Sequence, residues 1–272
     1  MNTILNPEEI ISLELIEKVE VTHDTNRYRF GFPNEDDVLG LPTGKHISLM
    51  FEDEDGEQVT RSYTPVSSDV DKGFVDFVIK VYKSNVHPDF PEGGKMSQKI
   101  DTLSIGDSFN FKGPNGRLEY MGEGAFNIKQ LKSQGGEIVQ RVVKNVGMIA
   151  GGTGITPMIQ IIRAILRNEN DPTKINLLFA NKEEKDILLR DKLENRDIDF
   201  SDRFTVNYTL DNPSDEWEGF SGFIDQEMIK RTMPEPGENT LILLCGPPKM
   251  NSEAVKPALE ALGYTADMIF NF

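Results

Sequence analysis

The chain has 272 residues, of which 38% are hydrophobic and 27% are charged, a composition typical of globular proteins. Since domains usually comprise roughly 100–200 residues, this length predicts about two of them. Lys and Arg number 29 against 45 Asp and Glu, and the formal net charge of -16 predicts repulsion of bulk nucleic acid and anionic lipid. A small basic docking surface is still compatible with that charge.

The chain has few residues suited to metal binding or disulfides. Cys245 is the single cysteine, which excludes an intramolecular disulfide and a cluster held by several cysteines. The histidines are scattered without ligand spacing, so we expect no protein-bound metal. No apolar run approaches the ~20 residues of a membrane span, and the first residues lack the basic segment of a signal peptide. We therefore expect a soluble, cytoplasmic protein that associates with membranes only through a partner or a segment missing from this chain.

Residues 12–111 carry the partial alternation of apolar and polar side chains that is typical of β-strands. The predicted strands cover residues 13–21, 28–32, 46–51, 74–82 and 108–111. The pair Asp55-Gly56, in an acidic turn, indicates a hairpin, and a short helix is expected at residues 95–102. Several short strands at close spacing predict a small antiparallel β-barrel, which we assign to residues 1–116.

Beyond the barrel, residues 117–144 are predicted to form a connector, and a different pattern begins at residue 145. Predicted strands at residues 146–150, 175–180, 204–210, 241–245 and 269–272 alternate with predicted helices at residues 157–168, 182–195, 225–232 and 249–262. This alternation predicts an α/β domain with a parallel sheet covered on both faces. Ligands of such sheets bind at the carboxyl ends of the strands.

A glycine-rich segment, GGTGITPM at residues 151–158, directly follows a predicted strand and opens a predicted helix. Glycines let a ligand approach the backbone closely, and the N–H groups of a helix start suit a pyrophosphate. Thr156 is expected to be the N-cap and Pro157 the first helical residue. Because the spacing departs from G-x-G-x-x-G, a turn that binds no ligand is an equally open interpretation.

Two further segments carry groups suited to nucleotides. The first is RSYTP at residues 61–65, which combines an arginine for phosphate with an aromatic face and hydroxyls. The second is CGPPKM at residues 245–250, at a predicted strand-to-helix junction. Taken alone, the first could be an ordinary surface strand end, and the second an ordinary turn of a parallel-sheet domain.

Asp211 directly follows a predicted strand. A carboxylate there could accept a hydrogen bond from a ribose 2′-OH and repel a 2′-phosphate. Taken alone, Asp211-Asn212-Pro213 is better interpreted as a simple turn.

Taken together and in order, the motifs resemble the NADH-cytochrome b5 reductase family and, more broadly, the ferredoxin–NADP reductase superfamily. The matching segments are RSYTP at 61–65, IKVY at 79–82, GGKMS at 93–97, GGTGITPM at 151–158, CGPPKM at 245–250 and the terminal Phe272. The resemblance extends from about residue 12 to the last residue. It implies an FAD-binding barrel followed by an NADH-binding α/β domain.

The resemblance implies specific FAD contacts in the barrel, with Arg61 at the phosphates and Thr64 near the reactive N5 of the flavin. Backbone groups of residues 94–97 and the Ser97 hydroxyl would hold the pyrophosphate. The implied FAD-binding residues are Arg61, Tyr63, Thr64, Pro65, Val78, Ile79, Tyr82, Gly94, Lys95, Met96 and Ser97. Lys80 matches a lysine associated with NADH binding.

In the second domain, the implied NADH-binding residues are Gly152, Thr153, Thr156, Pro157, Asp211, Gly246, Pro247, Met250 and Phe272. The resemblance implies that Asp211 takes the position that selects NADH over NADPH. Cys245 resembles a thiol that lies close to the nicotinamide, where it tunes geometry and is not a nucleophile. Thr64, Lys80 and Cys245 are therefore the residues expected to act in catalysis.

The sequence contains no set of residues for a second redox centre, so the electrons must pass to a separate acceptor. The resemblance implies cytochrome b5 or another one-electron acceptor protein, docked on lysines near the flavin, and we expect a monomer. Candidates for a basic rim are Lys45, Lys83, Lys95, Lys99 and Lys112. Alternative functions are the flavin domain of a nitrate reductase, a reductase of ferric chelates or other small acceptors, and a non-catalytic nucleotide-sensing module.

Overall fold

The computed structural model describes residues 2–86, 88 and 90–272. Its contacts divide the chain into a first unit, Met1–Arg117, and a second unit, Leu118–Phe272. His87, one of the scattered histidines, lies outside the described residues. No helix among the described residues is long and apolar enough to cross a membrane.

The first unit contains a six-stranded antiparallel sheet, in the order β4-β3-β6-β1-β2-β5. The strands are β1 (Ile11–Thr22), β2 (Thr25–Gly31), β3 (His46–Glu52), β4 (Gln58–Tyr63), β5 (Phe74–Lys80) and β6 (Ser108–Asn115). The β3–β4 hairpin turns through Gly56, which has a positive φ of 78° that favours glycine. The predicted hairpin at Asp55-Gly56 is therefore confirmed.

Asp76 joins the two outer strands of this sheet. Its carbonyl accepts a hydrogen bond from the Val66 N–H at 2.9 Å, just beyond β4, and its own N–H donates to the Ser67 hydroxyl at 2.9 Å. Its carboxylate accepts hydrogen bonds from Arg29 at 2.7 and 2.8 Å and from Arg27 at 3.1 Å. The sheet thus curls until its edges meet, which gives the expected barrel.

Aromatic side chains fill the core of the first unit. Phe30 lies edge-on to Phe111 with ring centroids 4.9 Å apart, and Phe77 stacks on Phe111 at 5.8 Å. The helix α1 (Lys95–Asp101) agrees with the predicted helix and places Met96 and Ile100 into this core. This packing holds the N-terminal end of α1 beside the chain that leaves β5.

Residues 118–142, within the expected connector, form a three-stranded antiparallel sheet that belongs to the second unit. Its strands are β7 (Leu118–Gly122), β8 (Ala125–Lys129) and β9 (Ile138–Val142). The sheet is tied to the rest of the unit by Asp171, whose carboxylate accepts hydrogen bonds from the Tyr120 hydroxyl and, at 3.1 Å, from the Glu123 N–H.

The second unit also contains a six-stranded sheet, in the order β13-β12-β11-β10-β14-β15, and all its pairings are parallel. The strands are β10 (Asn145–Gly151), β11 (Lys174–Asn181), β12 (Phe204–Leu210), β13 (Phe220–Ser221), β14 (Thr240–Cys245) and β15 (Ile269–Asn271). The two-domain fold predicted from the sequence is therefore confirmed. Strand order reverses between β10 and β14, and parallel sheets bind ligands at such a switch point.

The helices of the second unit depart in part from the predicted bounds. They are α2 (Ile155–Arg167), α3 (Arg190–Asp199), α4 (Gln226–Thr232) and α5 (Lys256–Ala261), the last entered through a π-helical segment, Met250–Val255. The helix predicted from residue 182 was wrong at its start. Residues 182–189 instead include a 3₁₀ turn, Glu184–Asp186, and the positive φ of 58° at Leu189 interrupts any helical path.

Candidate functional site

The RSYTP segment lies at the end of β4 and in the residues that follow. The Arg61 guanidinium is exposed and donates from Nη1 to the Thr60 carbonyl at 2.8 Å, which leaves donors available to a phosphate. Tyr63 is half-buried against the core, and burial raises the pKa of its phenol to about 12. The phenol is thus protonated at neutral pH and its ring is held in place. Thr64 is half-buried and Pro65 is buried.

Tyr82, in the chain leaving β5, is bound to the start of α1 by two hydrogen bonds, and a third bond closes the turn at that start. The Gly94 N–H donates to the Tyr82 carbonyl at 2.8 Å, the Tyr82 N–H donates to the Ser97 hydroxyl at 3.1 Å, and that hydroxyl donates to the Gly94 carbonyl at 3.1 Å. Ser97 is buried, so its hydroxyl organises this turn within the protein. The N–H groups of the first helical turn have no helical acceptors and can receive an anion.

Glycine is required at the start of this turn. A Cβ on Gly93, whose φ is 69°, would lie 2.3 Å from the Tyr82 carbonyl oxygen. Tyr82 itself is 50% exposed, so its ring presents an accessible aromatic face. Val78 and Ile79, on β5, are buried and support the strand from within.

Lys80, at the end of β5, lies in an ion pair. Its Nζ is 2.6 Å from Oδ2 of Asp24. Burial by itself would raise the pKa of the Asp24 carboxyl, but the hydrogen bond and charge of Lys80 lower it overall. The structure therefore fixes Lys80 beside a carboxylate, and any contact with NADH has to share the ammonium with Asp24.

The lysines expected to form a basic rim are partly engaged within the first unit. Lys95 Nζ lies 3.3 Å from Oδ2 of Asp53, in the acidic β3–β4 turn. Lys45 Nζ donates to the Gly116 carbonyl at 3.0 Å, and Lys99 Nζ lies 5.9 Å from the centre of the Phe51 ring. Carboxylates of the hairpin turn thus interrupt a continuous positive surface at α1.

In the second unit, the loops after β10 and β14 pack backbone against backbone. These strands are neighbours, with Ala150 paired to Cys245. A Cβ on Gly154 would lie 2.1 Å from the Cys245 carbonyl oxygen, and one on Gly246 would lie 3.1 Å from the Gly151 nitrogen. The GGTGITPM and CGPPKM motifs therefore meet at the switch point of the sheet.

Gly152 lies at this contact, and the space beside its Cα is open. Its φ is 52°, and a Cβ there would meet no atom within 4 Å. By contrast, a Cβ on Gly151 would lie 2.7 Å from Met250 Sδ and 2.8 Å from Pro247 Cδ. The glycines on either side hold the two loops together, while Gly152 leaves its backbone accessible to a ligand.

The helix after this loop begins earlier than predicted. A 3₁₀ turn, Gly152–Gly154, leads into α2, whose N-cap is Gly154. The predictions that Thr156 is the N-cap and Pro157 the first helical residue were therefore wrong. Instead, the Thr156 hydroxyl donates to the Thr153 carbonyl at 3.2 Å, and Pro157 lies in the first turn, where its missing N–H costs no helical hydrogen bond. Thr153 remains half-buried beside Gly152.

Cys245 ends β14 at the same edge of the sheet. Burial raises the pKa of its thiol to about 11, so the thiol is protonated at neutral pH, as expected for a residue that is not a nucleophile. The Phe272 N–H donates to the Leu244 carbonyl at 3.1 Å, which places the backbone of the last residue beside this strand end. The Asn251 amide donates to the Gly246 carbonyl at 3.2 Å and so holds the loop after β14 in place.

Asp211 occupies the same carboxyl edge, two strands from β10. Its N–H donates to the Asn181 carbonyl at 3.0 Å, and the next N–H, of Asn212, donates to the Lys182 carbonyl at 2.8 Å. Asp211 is half-buried; burial raises the pKa of its carboxyl, while the charge of Lys182 acts to lower it. A carboxylate is thus held at the carboxyl edge of the sheet, where the end of a dinucleotide distant from Gly152 would lie.

Sequence reasoning missed Asn181 and Lys182. Asn181 is buried, and both polar atoms of its amide lack a hydrogen-bond partner among the described residues. The signal was present, since Asn181 and Lys182 directly follow the apolar run of β11 at the ligand-binding end of the sheet. Lys182 was predicted to start a helix, and Asn181 fell between the predicted strand and that helix.

Each unit fits the nucleotide expected for it. In the first unit, an exposed guanidinium, a fixed aromatic ring and the free N–H groups of α1 suit a dinucleotide carrying an aromatic ring system. In the second, the open backbone at Gly152 and the unpartnered amide of Asn181 suit a polar ligand at the carboxyl edge of the sheet.

Comparison with protein families gives two matches. Residues 12–120 match the oxidoreductase FAD-binding domain, and residues 148–256 match the oxidoreductase NAD-binding domain. The chain is 52% identical over 270 residues to NADH-cytochrome b5 reductase 2 of Rattus norvegicus, covering 99% of this chain and 97% of that protein. It is 51% identical over 270 residues to NADH-cytochrome b5 reductase 1 of Homo sapiens, covering 99% of this chain and 88% of that protein.

Solved structures include the cytochrome b5 reductase domain of Ulva prolifera nitrate reductase, with a TM-score of 0.91 and 42% identity, covering 99% of this chain and 100% of that one. The CS-b5R domains of human Ncb5or, in the NAD+ form, match with a TM-score of 0.74 and 26% identity, covering 97% of this chain and 69% of that one.

Proposed function

Because the chain belongs to the NADH-cytochrome b5 reductase family, we propose that it is an FAD-dependent reductase that oxidises NADH and passes single electrons to cytochrome b5 or a similar haem protein. Bound FAD would supply the redox chemistry, since a flavin accepts two electrons together and releases them one at a time. The residues of the chain would bind, orient and shield the two nucleotides.

The observation that carries this proposal is the contact of Gly154 and Gly246 at the switch point of the parallel sheet. It presses two loops together and leaves the Gly152 backbone open between them, which is the shape that a dinucleotide phosphate requires. The φ of 52° would favour glycine at residue 152 in any turn, so the close approach of the two loops beside an open backbone is what supports a bound phosphate.

In the first unit, we propose that Arg61 and the N–H groups of α1 bind the FAD phosphates while Tyr63 and Tyr82 present aromatic surfaces. Thr64 would place its hydroxyl and N–H at the flavin. Gly94, Lys95, Met96 and Ser97 would form the turn that holds the pyrophosphate, with the Ser97 hydroxyl fixing the turn from within. Lys80 would exchange between Asp24 and NADH.

In the second unit, we propose that the backbone of residues 152–156 holds the NADH phosphates and that Asp211 selects NADH through the ribose 2′-OH. Cys245 and Phe272 would line the nicotinamide end. A protonated thiol suits this place, because it offers bulk and weak polarity without a charge or a nucleophile.

The proposed acceptor follows from the family. Since Lys95 is paired with Asp53, a haem protein with an acidic docking surface would have to rely on the remaining lysines of the first unit or displace that pair. The monomeric state and the cytoplasmic location stay predictions, which light scattering and cell fractionation would test.

The proposed function is tested by an anaerobic titration of purified protein with NADH. The protein should be yellow, its flavin absorbance should bleach with one equivalent of NADH, and added cytochrome b5 should then be reduced. NADPH should bleach it far less effectively. A colourless protein that binds no FAD would overturn the proposal.

An acceptor series then separates the enzymatic alternatives. Reduced protein should transfer electrons to cytochrome b5 faster than to ferric chelates at equal concentration. The reverse order would instead favour a reductase of small acceptors. For docking of an acidic protein on the remaining lysines of the first unit, raising the ionic strength should slow the protein acceptor selectively, because salt screens attraction between opposite charges.

A further inference from the structure

Lys182 lies beside Asp211 at the carboxyl edge of the second sheet. Backbone hydrogen bonds join the two segments at consecutive positions, from Asp211 to Asn181 at 3.0 Å and from Asn212 to Lys182 at 2.8 Å. The segments therefore run side by side just beyond β11 and β12. The charge of Lys182 also acts on the Asp211 carboxyl, in the direction that lowers its pKa.

The other charged side chains of this loop are engaged elsewhere. Glu183 pairs with Lys185 at 2.7 Å, and Glu184 pairs with Arg190 at 2.5 Å. Lys182 is exposed and makes no salt bridge among the described residues. The edge thus presents one carboxylate and one available ammonium on adjacent chain segments.

These two groups have opposite effects on a nucleotide that carries a 2′-phosphate. A carboxylate accepts a hydrogen bond from a ribose 2′-OH and repels a 2′-phosphate. An ammonium attracts the same phosphate and gains nothing comparable from a hydroxyl. The preference of the site therefore depends on the pair and not on Asp211 alone.

We propose that Lys182 is a specificity-determining residue that binds the 2′-phosphate of NADPH and so weakens the discrimination that Asp211 provides. The proposal rests on the proposed function, because it places the adenosine end of the nucleotide at this edge. It assigns to this protein a measurable use of NADPH that a lone carboxylate would prevent.

The test measures binding rather than turnover. The FAD-loaded protein is titrated calorimetrically with ADP-ribose and with 2′-phospho-ADP-ribose, which differ only in the 2′-phosphate. Lys182→Gln should weaken 2′-phospho-ADP-ribose about fivefold while ADP-ribose changes less than about twofold, as removal of one exposed charge pair predicts. Lys185→Gln, in the same loop and already paired with Glu183, is the matched control and should change neither affinity.

Salt gives an independent measure. In the unmodified protein, raising the ionic strength should weaken 2′-phospho-ADP-ribose more than ADP-ribose, and Lys182→Gln should remove most of that difference. If both probes bind and Lys182→Gln leaves their affinity ratio unchanged, the inference is overturned and the proposed nucleotide site stands. If ADP-ribose does not bind at all, the proposed NADH site itself is wrong.

Discussion

Gly154 and Cys245 approach so closely that a methyl group on Gly154 would lie 2.1 Å from the Cys245 carbonyl oxygen. Gly154→Ala must therefore push the loops after β10 and β14 apart. We expect a loss of about 2–3 kcal/mol of unfolding free energy, typical of overpacking against a rigid backbone, together with a large loss of NADH affinity. Urea denaturation and calorimetry measure the two effects. Gly237→Ala is the control, because a Cβ there meets nothing within 4 Å.

The Cys245 thiol should be unreactive at neutral pH. Its pKa is raised by burial from 9.0 to about 11, so the thiolate fraction at pH 8 falls from about 10% to about 0.1%. Alkylation by iodoacetamide should consequently be about 100-fold slower in the folded protein than after denaturation. Because the chain has one cysteine, mass spectrometry reads this rate directly. Rapid labelling of folded protein at pH 7 would contradict the raised pKa.

Asp211 should govern the choice between NADH and NADPH. Asp211→Ala or Asp211→Thr removes a carboxylate that repels a 2′-phosphate, so the ratio of kcat/KM for NADPH to that for NADH should rise at least about tenfold, or ~1.4 kcal/mol. Steady-state kinetics with each nucleotide provide the ratio. An unchanged ratio would show that Asp211 only forms a turn.

Asp76 should be critical for the stability of the barrel. It accepts hydrogen bonds from Arg27 and Arg29, and its side chain is 11% exposed. Asp76→Asn leaves the two partly buried guanidiniums with Glu17, which lies 2.9 Å from Arg27 and 3.4 Å from Arg29, at an expected cost of about 1–2 kcal/mol. Asp36→Asn breaks an exposed pair with Lys72 and should cost less than about 0.5 kcal/mol. Equal effects of the two substitutions in urea denaturation would refute the special role of Asp76.

The pair of Lys80 with Asp24 predicts a specific acid sensitivity. The interaction with Lys80 lowers the pKa of the Asp24 carboxyl below 3.8, despite burial. The pair therefore stabilises the fold above pH 3.8, and this stabilisation is lost as the pH falls through the lower pKa of the folded state. Unfolding free energies of the unmodified protein and of Asp24→Asn should therefore differ most above about pH 5 and converge only as the pH falls well below 3.8. A difference that grows as the pH falls would contradict this sign.

Much of the second unit could be predicted because buried parallel strands have continuous apolar sequences. The run Val146–Ala150 is fully buried in β10, and Leu241–Leu244 in β14. The glycine-rich and CGPPKM motifs directly follow these runs, so both motifs could be placed at strand ends. The pairing of β14 with β10 brings the two motifs together. Roles of individual residues within those motifs depend on ligands and stay predictions.

Other features of the structure could not be predicted from the sequence pattern. Ile187 and Leu188 are buried and resemble the start of an amphipathic helix, yet the positive φ of Leu189 delays α3 to Arg190. The π-helical segment Met250–Val255 follows a hydrogen-bond spacing that side-chain periodicity does not reveal. Likewise, the bond between Val66 and Asp76 that closes the barrel involves a residue beyond the end of a strand.

The adjacency of β10 and β14 has a consequence for how the protein matures. Ala150 and Cys245 pair across a long separation in sequence, and contacts of that range form slowly because a long loop must first close. The crevice at Gly152 therefore exists only once β14 has paired with β10. Nucleotide binding at this crevice should for this reason report that folding is complete. A chain that ends before Thr240 would form secondary structure but would not bind the coenzyme there.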